Sequence, residues 1–344
     1  MAFDTYSTAY LLGAYGVIDR PVPFLYNMFF NSEMQFDTLE VYFDKVERAR
    51  RLAPVVSPLV QGKAERLRGY ATSSFRPAYV KPKHVIEPDR TLRRLPGEAL
   101  LGALNASERR DRIVLDTLQI QDDQITRREE WMATQILCTG TVTVVGEDYP
   151  SQLIDFGRPA GNTVALTGAA AWGQAGVDPL SMMQSWSALV QNVSGFAPIG
   201  VVMDPLAYDK FRRSSGVATI MNSFRQTSGN IDLAGRAVGG IGSEAVNVGQ
   251  IGLFDIWVYQ QFYTDPDGNV LKYMPDNTVI LGNPVGCQGT RLYGAIQDVR
   301  SLAPLPRFPK MWIAEDPSAE YMMTQSAPLP VLGWPEATFA ATVA

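Results

Sequence analysis

Residues 105–137 are the longest part of this chain that reads as one helix without a glycine or a proline. A helix of that length limits what the rest of the chain can fold into. Val114, Leu118, Ile125, Met132 and Ile136 follow one another at steps of four, seven, seven and four, which places an apolar stripe on one face. Asn105 and Ser107 are both suitable N-caps, because their side-chain oxygens accept a free backbone N–H. At about 1.5 Å per residue the helix is roughly 50 Å long, beyond the few turns usual in a globular domain. It is therefore expected to be a strut carrying other elements along one side. Asp123 and Arg127 form an acid-before-base pair at i,i+4. The pairs Asp122/Asp123 and Glu129/Glu130 are read as parts of a solvated face rather than as paired catalytic carboxylates.

A length of 344 residues suggests two domains. With 46% hydrophobic and 19% charged residues the chain can bury a sizeable core. Its net charge of -5 argues against a protein that coats nucleic acid through an overall basic surface. No run of about twenty apolar residues is present, so no membrane span is expected. The opening "MAFDTYSTAYLLGAYG" has no basic residue ahead of its short apolar part and does not read as a secretory signal. Cys138 and Cys287 stand far apart, which suits buried free thiols in a reducing compartment better than a disulfide framework.

Residues 1–20 are rich in aromatic and small residues, with Gly13 and Gly16 interrupting any helix, and are expected to be an extended arm lying on a surface. "PFLYNMFF" (23–30) is too apolar for water and is assigned to a core. "DTLEVYFDKV" (37–46) alternates as a strand with Leu39, Val41 and Phe43 on one face. From 55 to 96 prolines recur and basic residues outnumber acidic ones. About forty residues with little apolar periodicity are uncommon inside a compact domain. The stretch is read as either a long functional loop or a two-stranded excursion, with "SSFRPAYVKPKHVI" (73–86) as one strand of a hairpin and Phe75 and Tyr79 as contact residues.

Beyond the long helix, residues 140–149 read as a strand and 157–168 as a loop. Residues 178–195 form a second helix, capped by Asp178, started by Pro179 and ended by Gly195. Residues 198–213 are a strand turning directly into a third helix, where Asp204 and Pro205 repeat that start signal. The result is a helix–strand–helix unit, as in a small α/β layer. Residues 228–252 hold seven glycines and read as mobile loops. Residues 253–263 and 270–274 read as strands joined by a turn, followed by strands at 278–283 and 290–299. The content of 319–332 is strand-like, so the ending is expected to dock onto the body.

The working groups of an enzyme are sparse. His84 is the single histidine. A Ser-His-Asp or Cys-His arrangement would have to use it within a proline-interrupted basic loop, so a surface or interface role is the better reading. One histidine and two separated cysteines make no zinc cluster. "DPDGN" (265–269) departs from a calcium loop, whose glycine falls sixth and whose twelfth residue is glutamate; it reads as a hairpin turn. "GIGSEA" (240–245) is a loose dinucleotide match without a βαβ frame. The basic stretch 76–94, interleaved with aromatics, is the one candidate nucleic-acid patch, but its prolines and acids favour protein–protein contact. A soluble α+β hydrolase or nucleotide-binding enzyme is the alternative class to a structural subunit, and the lack of a nucleophile–base pair weighs against it.

Within the same stretch, "SPLVQGKAERLRGYATSSFRPAYVKPKH" and "TLRRLPGE" resemble the lambda-type major capsid proteins of tailed phages. So do "PFLYNMFF", "VYFDKV", "MPDNTVILGNP", "RLYGAIQD" and "RFPKMWIAEDPSAEYMMTQSAPLP", in the family's order. The resemblance is weaker from about 156 to 250. It implies an α+β, Hong Kong 97-type major capsid fold. Its parts would be an N-terminal arm (1–30), a first part of the peripheral domain (31–54), an extended loop (55–97), the spine helix with peripheral strands (98–155), an axial domain (156–300) and a C-terminal return to the peripheral domain (301–344).

The function implied by the resemblance is self-assembly into the hexamers and pentamers of an icosahedral shell enclosing double-stranded DNA. The shell would be the capsid of a virion assembled in the host cytoplasm. Further partners would be a decoration protein, a scaffolding protein and a portal, with packaged DNA held without sequence-specific binding and no membrane. The extended-loop residues expected at the inter-subunit interface are Arg68, Phe75, Arg76, Tyr79, Lys81, Lys83, His84, Arg93 and Arg94. No catalytic residue, cofactor or metal is implied. Lys63, Lys81 and Lys83 lie in the loop that distant relatives cross-link, but no isopeptide bond is expected here. The negative net charge suits a DNA container, since a basic lining would hold the polymer.

Overall fold

The computed structural model describes residues 6–15, 22–38, 40–46, 52–53, 55, 57–59, 61, 70–96, 98, 104–146, 149–217, 245–299, 303–316 and 318–344. The first described elements are two short helices, α1 (Thr8–Tyr15) and α2 (Phe24–Phe29), the second of which enters β1 (Phe30–Gln35) directly. Thr8–Tyr15 is therefore helical where an extended arm was expected. Leu11 is fully buried beside Ile113, Val114 and Leu118. That burial is worth about 1.5–3 kcal/mol and outweighs the roughly 1 kcal/mol helix penalty of Gly13.

The strands β2 (Val41–Val46) and β3 (Tyr70–Phe75) pair antiparallel from Val41↔Phe75 to Val46↔Tyr70. The two strands are thus paired legs on either side of residues 47–69 in the chain. β4 (Lys83–Ile86) belongs to a different sheet, so "SSFRPAYVKPKHVI" supplies parts of two strands rather than one. Pro77 and Pro82 break it, because proline has no N–H for a ladder. α3 (Pro88–Leu92) follows.

The long helix is α4 (Ala106–Thr139). Asn105 caps it, accepting the Glu108 N–H at 2.9 Å, while Glu108 accepts the Asn105 N–H at 2.8 Å; Ser107 lies inside the helix. Gly140, at φ 79°, closes it in the left-handed region, where a glycine carries no Cβ penalty. The stripe Val114, Leu118, Ile125, Met132 and Ile136 is buried throughout.

A hairpin follows, β5 (Thr141–Gly146) with β6 (Tyr149–Asp155), and then β7 (Thr163–Ala165) within the expected loop. α5 (Pro179–Ser194) is capped by Asp178 and ended by Gly195, and β8 (Gly200–Met203) turns at the Asp204 cap into α6 (Pro205–Arg212). Next come β9 (Ala245–Ile251), β10 (Phe254–Tyr259), the hairpin β11 (Phe262–Thr264) and β12 (Val270–Lys272), β13 (Thr278–Gly282) and β14 (Gly289–Tyr293). Residues 228–244 of the glycine-rich stretch lie outside the described residues, as does most of "GIGSEA". Residues 245–251 are an edge strand rather than a loop. β15 (Phe308–Ala314), β16 (Ala319–Gln325), β17 (Pro328–Leu332) and β18 (Thr338–Thr342) complete the chain.

Two bodies of packing result. A six-stranded sheet in the order β7-β18-β13-β8-β10-β9 has every residue of β8 and β13 buried. Alternation divides these residues between two cores. Val201, Val279, Leu281 and Phe339 pack with Met183, Trp186 and Phe211 of α5 and α6, while Val202 and Ile280 pack with Met132 and Ile136 of α4. The second body is the sheet β15-β16-β4, whose Met311, Met322 and Ile86 cover the first half of α4 together with α1. β18, the last strand, is paired on both sides within the six-stranded sheet.

The middle of α4 corrects an expectation. Asp122, Glu129 and Glu130 are not on a solvated face; each side chain is buried. Arg307 donates to Asp122 Oδ1 at 2.8 Å and to both oxygens of Glu129 at 2.7 and 3.0 Å. Glu130 accepts the first N–H groups of α2, from Leu25 and Tyr26, at 2.9 Å each, and the Tyr259 hydroxyl at 2.9 Å. Buried charge is retained only when it is paired and hydrogen-bonded; Arg307 meets both conditions for Asp122 and Glu129, whereas Glu130 is held by hydrogen bonds and burial pushes its pKa up from the ordinary carboxylate value.

Candidate inter-subunit interface

The residues expected at an interface come from the excursion and the segment that leads it back to α4. Arg68 and Lys63 lie outside the described residues. The others fall into two groups. Phe75, Tyr79 and His84 are tied to their own chain. Phe75, at the end of β3, packs against Phe156 with ring centroids 6.1 Å apart. Tyr79 donates its hydroxyl to Gln325 at 2.6 Å and accepts the Gln297 N–H at 3.0 Å, while a backbone bridge from Val80 to Ser326 fixes the segment beside it. Burial pushes the Tyr79 hydroxyl pKa up from its ordinary value. His84 is half-buried, with Nδ1 3.1 Å from the Gln121 side-chain amide. That amide also donates to the Met322 carbonyl at 2.9 Å, and its oxygen accepts from Thr324 at 2.7 Å. The amide thus donates to Nδ1, and His84 bridges β4 to α4 rather than standing free on the surface.

Arg76, Lys81, Lys83, Arg93 and Arg94 are exposed. Lys81 sits over the Tyr79 ring at 5.2 Å, and Lys83 over Tyr321 at 4.3 Å and Trp312 at 5.3 Å. These contacts hold two cations on aromatic faces without neutralising them. Arg93, the C-cap of α3, pairs with Asp89 at 2.6 Å, with both side chains mostly in water, which is worth only tenths of a kcal/mol.

The excursion also exposes apolar surface. Leu52 and Leu59 are each 95% exposed, and Val55 is fully exposed. Each of these aliphatic side chains stands in water. The segment leading back into α4 is anchored by an ion pair. Glu98 accepts the Leu95 and Leu104 N–H groups and is gripped by Arg109 at 2.7 Å. The Arg109 guanidinium holds the Glu98 carboxyl down at about 2. At the far end of α4, Arg158 donates to the carbonyls of Leu137 and Cys138 at 2.7 and 2.8 Å. A cation there also complements the negative end of the helix dipole.

Sequence reasoning missed Arg307, Glu98 and Arg158. It also misread Asp122 and Glu129, although a signal was present. Asp122 is four residues after Leu118, and Glu129 four after Ile125, so both lie on the buried stripe. Nothing local to "PLPRFP" points to Arg307 as the partner. Both cysteines are free, Cys287 buried and Cys138 half-buried.

Comparison with known proteins gives one answer. The family model for phage major capsid protein E matches residues 7–343. The chain is 34% identical over 339 residues to the major capsid protein of Escherichia phage N15, covering 97% of both chains. It is 32% identical over 336 residues to that of Escherichia phage lambda, covering 96% of this chain and 97% of the relative. Among solved structures, a prophage capsid protein of E. coli CFT073 superposes with a TM-score of 0.77 at 22% identity, covering 98% and 99% of the two chains. The cyanophage P-SCSP1u capsid superposes with a TM-score of 0.50 at 10% identity, covering 100% and 92%. The α+β architecture is thus the Hong Kong 97-type capsid fold, and the chain belongs to the phage major capsid protein E family.

Proposed function

We propose that this chain is the shell-building subunit of a lambda-like phage head, self-assembling into hexamers and pentamers of an icosahedral shell around double-stranded DNA. The reading rests on Leu52, Val55 and Leu59, which a single chain leaves in water. A subunit that shares such an excursion with a neighbour enlarges the interface beyond what flat faces offer, and large apolar interfaces are the stable ones. The residues for that contact are the exposed cations Arg76, Lys81, Lys83, Arg93 and Arg94, together with the apolar Leu52, Val55 and Leu59. Phe75, Tyr79 and His84 hold the legs in place. The domain boundaries proposed from the resemblance are kept, except that β18 is grouped with the six-stranded sheet. A decoration protein, a scaffolding protein and a portal complete the partners, DNA is enclosed without sequence-specific contacts, and assembly takes place in the host cytoplasm. No catalytic step is assigned.

The test uses the pairing of β2 and β3. Replacing residues 47–69 by Asn-Gly joins Val46 to Tyr70 across a two-residue hairpin turn. Negative-stain microscopy of the parent protein is expected to show shells or capsomer rings. The shortened chain is expected to fold and remain a monomer. A parent protein that stays a small monomer at every concentration overturns the reading, and so do normal shells from the shortened chain.

A further inference from the structure

One end of the six-stranded sheet is built from three uncharged loops. β13 finishes at Gly282, while β8 and β10 begin at Gly200 and Phe254. These strands are neighbours in the order β13-β8-β10, and Gly200 stands opposite both Gly282 and Asp255. Neighbouring strands lie about 4.8 Å apart, so the loops that leave them at this level stand side by side. Residues 195–199, 252–253 and 283–288 contain no charged residue. Val285 follows β13, Ile199 precedes β8, Leu253 precedes β10, and Val193 lies in the last turn of α5. All four side chains are exposed, Leu253 by 69% and Val285 by 79%.

The loops are stitched together. Asn283 donates to the Ala197 carbonyl at 2.7 Å and accepts the N–H groups of Val285 and Gly286 at 3.1 and 2.7 Å. The Ile199 N–H donates to the Gly282 carbonyl at 3.1 Å, and the Asp255 N–H to the Ile199 carbonyl at 2.9 Å. A Cβ on Gly286 would stand 2.7 Å from the Phe196 ring, so two of the loops touch there. A surface held in this way loses little freedom when it is covered. The flank is of the same kind: every exposed residue from 157 to 199 is uncharged. Arg158 and Asp178, the charged residues of that span, are half-buried and bound to the end of α4 and the start of α5. Exposed aliphatics with charge depleted around them are the composition of an interface core.

The occupant of such a surface has to be uncharged too, because a charge seated there would lose its hydration without gaining a partner. The excursion meets that requirement. Its sequence from Leu52 to Gly62, LAPVVSPLVQG, holds no charged residue, and Leu52, Val55 and Leu59 stand in water. Both surfaces are open in a single chain, so they do not cover one another within it. Out and back, a stretch as long as residues 47–69 spans at most roughly 40 Å, more than the roughly 30 Å width of a small domain. We propose that the 52–59 segment of one copy lies on the Val193–Ile199–Leu253–Val285 end of the next copy's sheet. The inference rests on the shell-subunit reading and names the surface that receives the excursion. The contact joins unlike surfaces, so it repeats head-to-tail and closes a ring where its rotation allows.

Two variants test it. L253D/V285D alters two exposed side chains and is expected to keep the parent melting temperature. In sedimentation it is expected to raise the protein concentration needed for assembly about tenfold or more, because its carboxylates would be buried without partners. Assembly at the parent's own concentration overturns the proposal. V55C/L253C identifies the occupant. Once assembled and treated with a short bifunctional thiol reagent, it is expected to give covalent dimers and higher oligomers on a denaturing gel, while V55C alone and L253C alone stay monomeric there. Cross-links from V55C alone would join excursion to excursion, and cross-links from L253C alone would join sheet end to sheet end; either result overturns the proposal. Assembled V55C/L253C particles without cross-links also overturn it. A parent protein that stays a small monomer in the same buffer at every concentration marks instead the failure of the shell-subunit reading.

Discussion

Arg307 holds together the middle of the long helix. Burial opposes its charge, but Glu129 and Asp122 keep the guanidinium protonated well above the ordinary arginine value. Removing one partner of a buried pair leaves an uncompensated charge, which costs about 3–5 kcal/mol. Arg307→Ala should therefore lower stability by that order in chemical denaturation, and a double-mutant cycle with Glu129→Gln should show strong coupling; additive effects would remove the network from the account. Glu98 gives a pH signature. Its folded pKa of about 2 lies below the ordinary value of 4.5 because Arg109 bonds its charged form. A depressed acid adds stability above its unfolded pKa and loses it as pH falls toward the folded one. Melting temperature should thus fall more steeply for the parent than for Glu98→Gln between pH about 4.5 and 2. Parallel profiles would contradict the pairing. The carboxylate partners were legible in part: the spacing from Leu118 and Ile125 marks Asp122 and Glu129 as inward-facing. Arg307 was not, because a contact across 178 positions leaves no periodicity.

At the scale of elements, local signals worked wherever local chemistry decides. Asn105, Asp178 and Asp204 begin helices as expected, since a side-chain oxygen near a free N–H is a one-turn interaction. Asn105→Ala should cost about 1 kcal/mol by removing one half of the capping box, read as a lower midpoint in thermal or urea unfolding. Strand contacts are less forgiving. A Cβ on Gly289 would stand 2.1 Å from the Phe29 carbonyl oxygen, where α2 passes into β1. Gly289→Ala should therefore push β1 off β14 and destabilise by about 1–3 kcal/mol, as overpacking does; an unchanged melting temperature would argue against that close approach. The helix at Thr8–Tyr15 was hidden by its glycine, and only the pocket awaiting Leu11 explains it. The division of 73–86 between two sheets was equally hidden, although its prolines mark where the break falls.

The whole molecule combines a strut with two packed bodies and a large excursion. If the excursion serves a neighbour, replacing Leu52, Val55 and Leu59 together by Ser should leave the melting temperature nearly unchanged, because exposed positions cost within about 0.5 kcal/mol. Assembly followed by sedimentation should nonetheless weaken sharply. Rising salt should also shift assembly to higher protein concentration, since screening shortens the reach of exposed charges to about 3 Å at 1 M. By itself, the sequence determined the long helix, its cap, its stripe, the Asp-Pro helix starts and the hairpin at 265–269. Each of these rests on interactions spanning a few residues, which spacing records. Only the tertiary structure decided that β18 joins the six-stranded sheet, that Arg307 meets Asp122 and Glu129, and that Phe75, Tyr79 and His84 face inward while the lysines and arginines between them face out. Strand pairing and buried ion pairs join segments far apart in sequence, and their free energy depends on what lies opposite. The long helix is thus both a strut and the line along which the two cores and the buried charges are arranged.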